Sequence, residues 1–258
     1  MKLTYEGKMM VAGHRGDSAN CPENTVAAFR AAIEAGADMI ETDVRLTRDG
    51  VPVLIHDRTV DRTTDGKGYV KDMTFAELRL LNAGSKEQPQ TVPTLEELLE
   101  LLHSSDVTLN LEVKEYHEEG NEARSRECVD KCVALIERYG MGEKMLFNSF
   151  DAPVLEYIHD AYGGRYRLHG FYPYSEMYRV NRDPGEYLYC ACLSENRNVQ
   201  HYAFLLEKGI EPWVGASVRE EEHLALCFRL GARLVTANDP GAALEKLERI
   251  GARWTKEK

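Results

Sequence analysis

Residues 10–57 read MVAGHRGDSANCPENTVAAFRAAIEAGADMIETDVRLTRDGVPVLIHD, and the fold class follows from how apolar runs in this stretch end. Val11-Ala12-Gly13 leads into His14-Arg15-Gly16, Met39-Ile40 into Glu41-Thr42-Asp43, and Val53-Leu54-Ile55 into His56-Asp57. Strands that are apolar along their length and reactive at their C-terminal ends belong to the catalytic face of an α/β barrel. Between the first two runs, Pro22-Glu23-Asn24-Thr25 precedes VAAFRAAIEAGA, whose apolar residues at 26, 29, 33 and 37 keep a helical period. The stretch reads as a β-α-β unit with its chemistry gathered at one edge.

Beyond His56, residues 57–92 are rich in Thr, Asp, Gly and Lys and poor in apolar periodicity, apart from a short helix expected at Thr74 to Leu81. This segment reads as an insertion near the active site, with a mobile surface loop as the alternative. Thr94 with Glu97 forms a capping-box pattern before LEELLELL, which predicts a helix. Thr108 to Lys114 then alternates with period two, placing Asn110, Glu112 and Lys114 on one face. Three polar side chains inside a barrel are costly unless they meet a metal, a counter-charge or a substrate.

The alternation continues to the C-terminus. Helices are expected near 121–139, 153–161, 199–208, 220–230 and 240–250, with strands starting near 145, 167, 187, 212 and 233. With those beginning near 10, 39 and 108 this makes eight strands, and Val51 to His56 becomes an extra strand pairing with its neighbour. The expectation is one TIM (β/α)8 barrel domain over 1–258, with the 57–92 insertion after the second strand.

Glu41, Asp43 and Glu112 would converge at adjacent strand ends, where like charges repel. A hard divalent cation, Mg²⁺ or Ca²⁺, resolves that repulsion; pairing with Arg45 and Arg48 is the competing explanation. His14 and His56 close strands at the same rim, where a pair of imidazoles can serve as one proton donor and one acceptor. A cation, three carboxylates, Arg15 and Lys114 leave a net charge of +1, which suits an anionic substrate. Trp213 is expected at the mouth of the seventh strand as an apolar wall for substrate, with Phe150 and Tyr172 as weaker candidates. Thr236, Asn238 and Asp239 would frame the rim, and His169 is the one further histidine near a strand end.

The net charge of -11 argues against nucleic acid as a partner. The opening MKLTYEGKMMV has no apolar core of signal-peptide length and no later run approaches a membrane span, so no stable membrane insertion is expected. Six Cys without such a signal point to reduced thiols in a cytoplasmic protein. A homo-oligomer is left open.

HRG, PENT, the Glu-x-Asp pair, DG and HD, LEVK, NSF, PW and VTANDP occur in an order that resembles the glycerophosphodiester phosphodiesterase family over nearly the whole chain. The resemblance implies a TIM barrel that hydrolyses glycerophosphodiesters to sn-glycerol 3-phosphate and an alcohol with a divalent cation. It implies His14 and His56 as the catalytic pair and Glu41, Asp43 and Glu112 as metal carboxylates. Arg15 and Lys114 would contact phosphate, and Glu23 and Asn24 would help bind substrate by shaping the site. The family's usual Thr-x-Asn after Trp213 is here Val214-Gly215-Ala216, and Cys21 precedes PENT where small residues are usual. Two rivals remain at this stage: a lysophospholipase D acting on lipid diesters, and a non-catalytic barrel that binds phosphate esters.

Overall fold

A computed structural model describes residues 7–253; residues 1–6, part of the opening segment read above for a leader, lie outside them. Nine strands form one sheet: β1 Met10–His14, β2 Met39–Leu46, β3 Pro52–Leu54, β4 Thr108–Val113, β5 Met145–Asn148, β6 Arg167–Tyr172, β7 Cys190–Leu193, β8 Glu211–Val214 and β9 Leu234–Ala237. All except β3 are parallel, and β1 pairs with both β2 and β9, so eight strands close into a barrel. The extra strand read at Val51 to His56 is β3, shorter than expected and antiparallel to β2.

The helices are α1 Val26–Glu34, α2 Phe75–Leu78, α3 Leu95–Leu102, α4 Glu122–Arg138, α5 Ala152–Ala161, α6 Val199–Glu207, α7 Glu221–Leu230 and α8 Pro240–Arg249. Thr25 caps α1 by accepting from the Ala28 amide, and Phe29 and Ala32 face inward from the helix. At Thr94 and Glu97 both halves of the expected capping box are made. Among the described residues no helix is long and apolar enough to cross a membrane.

Strand parity splits the core into two compartments. Outward residues such as Ile40, Val44, Leu109, Leu111, Phe147 and Val235 join the layer beneath the helices. Inward residues Met10, Ala12, Met39, Leu146, Cys190, Trp213 and Leu234 fill the barrel itself. Farther along the strands the inward positions turn polar, and there the site is built.

Two readings need correction. The strand expected from Tyr187 begins at Cys190, because Pro184–Glu186 forms a 3₁₀ turn and the Leu188 amide bonds to Pro184 O at 2.9 Å. The insertion carries more apolar structure than its composition implied. Val60, Val70, Leu78, Ala83 and Val92 are buried with Val53 and Ile55 in a small core of their own. The spacing of these residues matches neither a helix nor a strand, which hid the cluster from a periodicity reading.

Phe29 is 0% exposed between α1 and the sheet. Phe29→Ala should lower stability by about 3–5 kcal/mol. Urea unfolding would show this as a lower midpoint with an unchanged slope.

Candidate active site

The turn after β1 sets the geometry. Arg15 sits at φ 59° and Asn24 at φ 55°, a region costly for residues other than glycine. The Asn24 amide donates to Arg15 O at 3.0 Å, and the Arg15 amide donates to Glu41 O at 2.8 Å and to Glu41 Oε2 at 3.0 Å. Each strained residue is thus held by the other and by β2. Gly16 lies at φ +81°, and a Cβ there would come within 2.5 Å of the Ala28 carbonyl carbon, so the turn packs directly onto α1.

In the sheet register His14 stands beside Glu41, and Asp43 beside Glu112. Ligand oxygens of Glu41, Asp43 and Glu112 lie within 4.8 Å of one another, and all three residues are buried. Burial, with Asp43 and Glu112 close by, pushes the Glu41 carboxyl well above the usual range. Burial pushes Asp43 up as well, but Lys114 and Arg15 outweigh it and hold that carboxyl below its ordinary value. Glu112 is raised by burial and by Asp43 against the pull of Lys114.

Lys114 Nζ lies 2.5 Å from Glu112 Oε1 and 3.3 Å from Asp43 Oδ1. Arg15 Nη1 donates to Glu23 Oε1 at 2.8 Å, and its Nε lies 3.3 Å from Asp43 Oδ2. Asp43 Oδ1 is buried with no hydrogen-bond partner. Three oxygen donors, one of them a buried carboxylate oxygen that accepts no hydrogen bond and has only the Lys114 ammonium nearby, fit a hard divalent cation. Arg45, the competing partner for these acids, faces elsewhere: it donates from Nε to His56 O and from Nη1 to Lys114 O, both at 2.9 Å. Arg48 bonds to Asp72 O and Glu77 at the surface.

Both histidines are oriented through Nδ1. His14 Nδ1 lies 2.6 Å from Asn238 Oδ1, and His56 Nδ1 lies 2.7 Å from Asp57 Oδ1. An oxygen acceptor at Nδ1 puts the ring proton there and leaves Nε2 available. His14 Nε2 is 3.9 Å from Glu41 Oε2. Burial lowers the pKa of both rings, reinforced for His14 by Arg15 and for His56 by Lys114.

The expected residues therefore gather at the C-terminal rim, with two changes of position. Trp213 is not at the mouth. It is 1% exposed, packed inside the barrel 5.0 Å from the His169 ring, with Nε1 donating to Glu211 Oε2 at 3.2 Å. Its parity matches Met10 and Leu146, so it plugs the barrel instead of walling the opening. Tyr172 turns outward and stacks on Phe204, whereas Phe150 stays near Lys114 and stacks on Phe171 with centroids 3.5 Å apart. Glu23 and Asn24 are occupied within the site: Glu23 by two arginines, and Asn24 by Asp43 and Thr42. His169 is buried in the barrel beside Asn110, held neutral by burial that takes its pKa down to about 3.

Sequence reasoning gives no role to Arg62 or Asn148, names Asp57 only as the end of an apolar run, and weighs Arg45 only as a partner for the acids. Asn148 shares the inward parity of Leu146 and pairs in register with Glu112, and its Oδ1 is buried without a partner. The alternation of MLFNSF carried that signal.

A model of the "Glycerophosphoryl diester phosphodiesterase family" matches residues 14–219. A glycerophosphodiester phosphodiesterase of Caldanaerobacter subterraneus subsp. tengcongensis is 45% identical over 148 residues, covering 56% of this chain and 59% of that protein. Glycerophosphodiester phosphodiesterase 1 of Homo sapiens is 39% identical over 127 residues, covering 47% of this chain and 38% of the human protein. The matched segments thus span about half the length of these relatives. A crystal structure of a protein from Silicibacter pomeroyi superposes with TM-score 0.85 at 23% identity, covering 98% of each chain, a likeness of fold. An Oleispira antarctica phosphodiesterase, solved in complex with the product sn-glycerol-3-phosphate, superposes with TM-score 0.80 at 26% identity over 93% of this chain and 97% of that one.

The carboxylate cluster makes a prediction that needs no substrate. Mg²⁺ or Ca²⁺ should raise the melting temperature, by about 2.7 kcal/mol of stabilisation at one hundred times its Kd. Glu112→Gln should shrink that rise at the same cation concentration. A wild-type melting temperature indifferent to both cations would argue against a metal cluster.

Proposed function

Because the chain belongs to the glycerophosphoryl diester phosphodiesterase family, we propose that it hydrolyses glycerophosphodiesters to sn-glycerol 3-phosphate and an alcohol, with a divalent cation and a histidine pair. The observation that carries this reading is two histidines, each with Nδ1 engaged and Nε2 free, beside three buried carboxylates and two cations. A site that only bound phosphate esters would have no need for two oriented rings beside an acidic cluster.

Glu41, Asp43 and Glu112 would hold Mg²⁺ or Ca²⁺, which supplies positive charge toward a phosphoryl oxygen. Arg15 has one face of its guanidinium tied to Glu23 and Asp43, which fixes its direction toward the opening. Lys114 is buried among carboxylates that raise its pKa against the effect of burial, so it stays charged and offers a point charge to a phosphate. The diester binds as a monoanion against these groups.

In the chemical step a water oxygen, or the neighbouring glycerol hydroxyl, bonds to phosphorus as the bond from phosphorus to the alcohol oxygen breaks. One histidine removes the proton of the attacking hydroxyl and the other protonates the departing alkoxide. If glycerol attacks itself, water opens the cyclic diester in a second step with the two rings exchanging tasks. Burial lowers the pKa of both rings, which favours the neutral form that accepts a proton; the ring that serves as acid takes up its proton before passing it to the alkoxide.

Chelation with EDTA should abolish turnover, and Mg²⁺ or Ca²⁺ should restore it. His14→Ala and His56→Ala should each lose on the order of 10²–10⁴ in rate on a natural diester. On glycerol phosphate esterified to nitrophenol, whose anion leaves without protonation, the variant lacking the acid should recover most of its rate while the other should not. Equal recovery of both, or of neither, would contradict a divided acid–base pair.

A further inference from the structure

Arg62 is a half-exposed arginine of the insertion, outside every motif discussed so far, and it makes two fork contacts into the site. Its Nε donates to Asp57 Oδ2 at 2.7 Å and its Nη2 to Asp57 Oδ1 at 3.2 Å. On the other side Nη1 donates to Glu23 Oε2 at 2.8 Å and Nη2 to Glu23 Oε1 at 2.7 Å. One planar guanidinium thus bridges two carboxylates, each held bidentately, a geometry that lysine cannot reproduce.

Each of those carboxylates shares an oxygen with a group of the site. Asp57 Oδ1 also accepts from His56 Nδ1 at 2.7 Å. Glu23 Oε1 also accepts from Arg15 Nη1 at 2.8 Å. The contacts form one unbroken chain, His56–Asp57–Arg62–Glu23–Arg15, joining the end of β3 to the turn after β1. Without Arg62, Asp57 and Glu23 would be two carboxylates at the rim with only one partner each, free to rotate away from the groups they orient.

The insertion is shaped to hold Arg62 there. Val60 is buried in the small apolar core, and its amide donates to Gly68 O at 3.0 Å. The Thr64 amide and hydroxyl both donate to Val60 O, at 3.0 and 2.8 Å, closing a tight turn over 60–64. Asp61 Oδ1 accepts from the Gly68 amide at 3.0 Å, so the neighbour of Arg62 is tied down as well. An arginine displayed from a pinned turn is better placed to orient other groups than one on a free loop.

We infer that Arg62 is a positioning residue that sets the ring of His56 through Asp57 and the guanidinium of Arg15 through Glu23, so that the insertion completes the site. This rests on the proposed roles of His56 in proton transfer and Arg15 in phosphate binding. The two arms make different kinetic contributions. The Asp57 arm acts on a ring that moves a proton, so its loss lowers kcat. The Glu23 arm acts on a phosphate contact, so its loss raises KM.

The test measures kcat and KM of the full chain with Mg²⁺ or Ca²⁺ on glycerophosphocholine, together with melting temperatures. Arg62→Ala should lose roughly 10–100-fold in kcat/KM, the range for residues that orient ligating or catalytic groups. Arg62→Lys should recover only part of that. Asp57→Asn should reproduce the fall in kcat, Glu23→Gln the rise in KM, and Arg62→Ala added to Asp57→Asn should lower kcat no further. Guanidinium ion should restore part of the activity of Arg62→Ala and none of that of His56→Ala. Unchanged kinetics in Arg62→Ala, or a loss that tracks melting temperature and ignores guanidinium, would overturn the inference. Should Arg62→Ala not fold, Arg62→Lys with native melting and native kinetics would overturn it equally. A wild type that leaves the diester intact with either cation would instead overturn the functional reading, and the inference with it.

Discussion

Three carboxylates buried within 4.8 Å of one another are the constraint on which the rest of this structure depends. Unpaired, such a group is unstable, since desolvation and mutual repulsion both oppose its charges. The chain answers with Lys114 and Arg15, which favour the charged form of Asp43 but leave Glu41 strongly shifted toward protonation. Two fixed side-chain cations do not balance three acids, and Asp43 Oδ1, which accepts no hydrogen bond, meets Lys114 only as an ion pair at 3.3 Å. A divalent cation bound between the three carboxylates would supply the balance.

The barrel makes that cluster affordable. Its inward positions run from an apolar plug of Met10, Met39, Leu146, Trp213 and Leu234 to polar groups at the C-terminal ends. The plug excludes solvent from below, so the charges see a low dielectric on one side and the opening on the other. Strand register then does the positioning. Parallel pairing sets His14 beside Glu41 and Asp43 beside Glu112, although the 57–92 insertion separates the second pair in the chain. Backbone strain at Arg15 and Asn24 falls in the turn that sets the Arg15 guanidinium against Glu23 and Asp43.

Much of this was legible in the sequence because it obeys a period. Alternation in TLNLEVK put Asn110, Glu112 and Lys114 on one face, and the eight strands, with β3 as an extra, followed from apolar runs and helical spacing. What stayed hidden depends on contacts between distant segments. Trp213 reads as a wall at the barrel mouth, yet its parity with Met10 and Leu146 turns it into the plug. Arg45 was weighed only as a partner for the acids, whereas it braces the backbone at His56 and Lys114. Arg62 lies in a segment without periodicity, where only the folded turn shows that its two forks reach Asp57 and Glu23.

The proposed hydrolysis breaks the bond between phosphorus and the alcohol oxygen and leaves phosphate on glycerol. Phosphorus-31 NMR of glycerophosphocholine incubated with the protein and Mg²⁺ or Ca²⁺ tests it most directly. The diester resonance should be replaced by that of sn-glycerol 3-phosphate. A phosphocholine resonance, or a diester signal that persists with both cations, would contradict it.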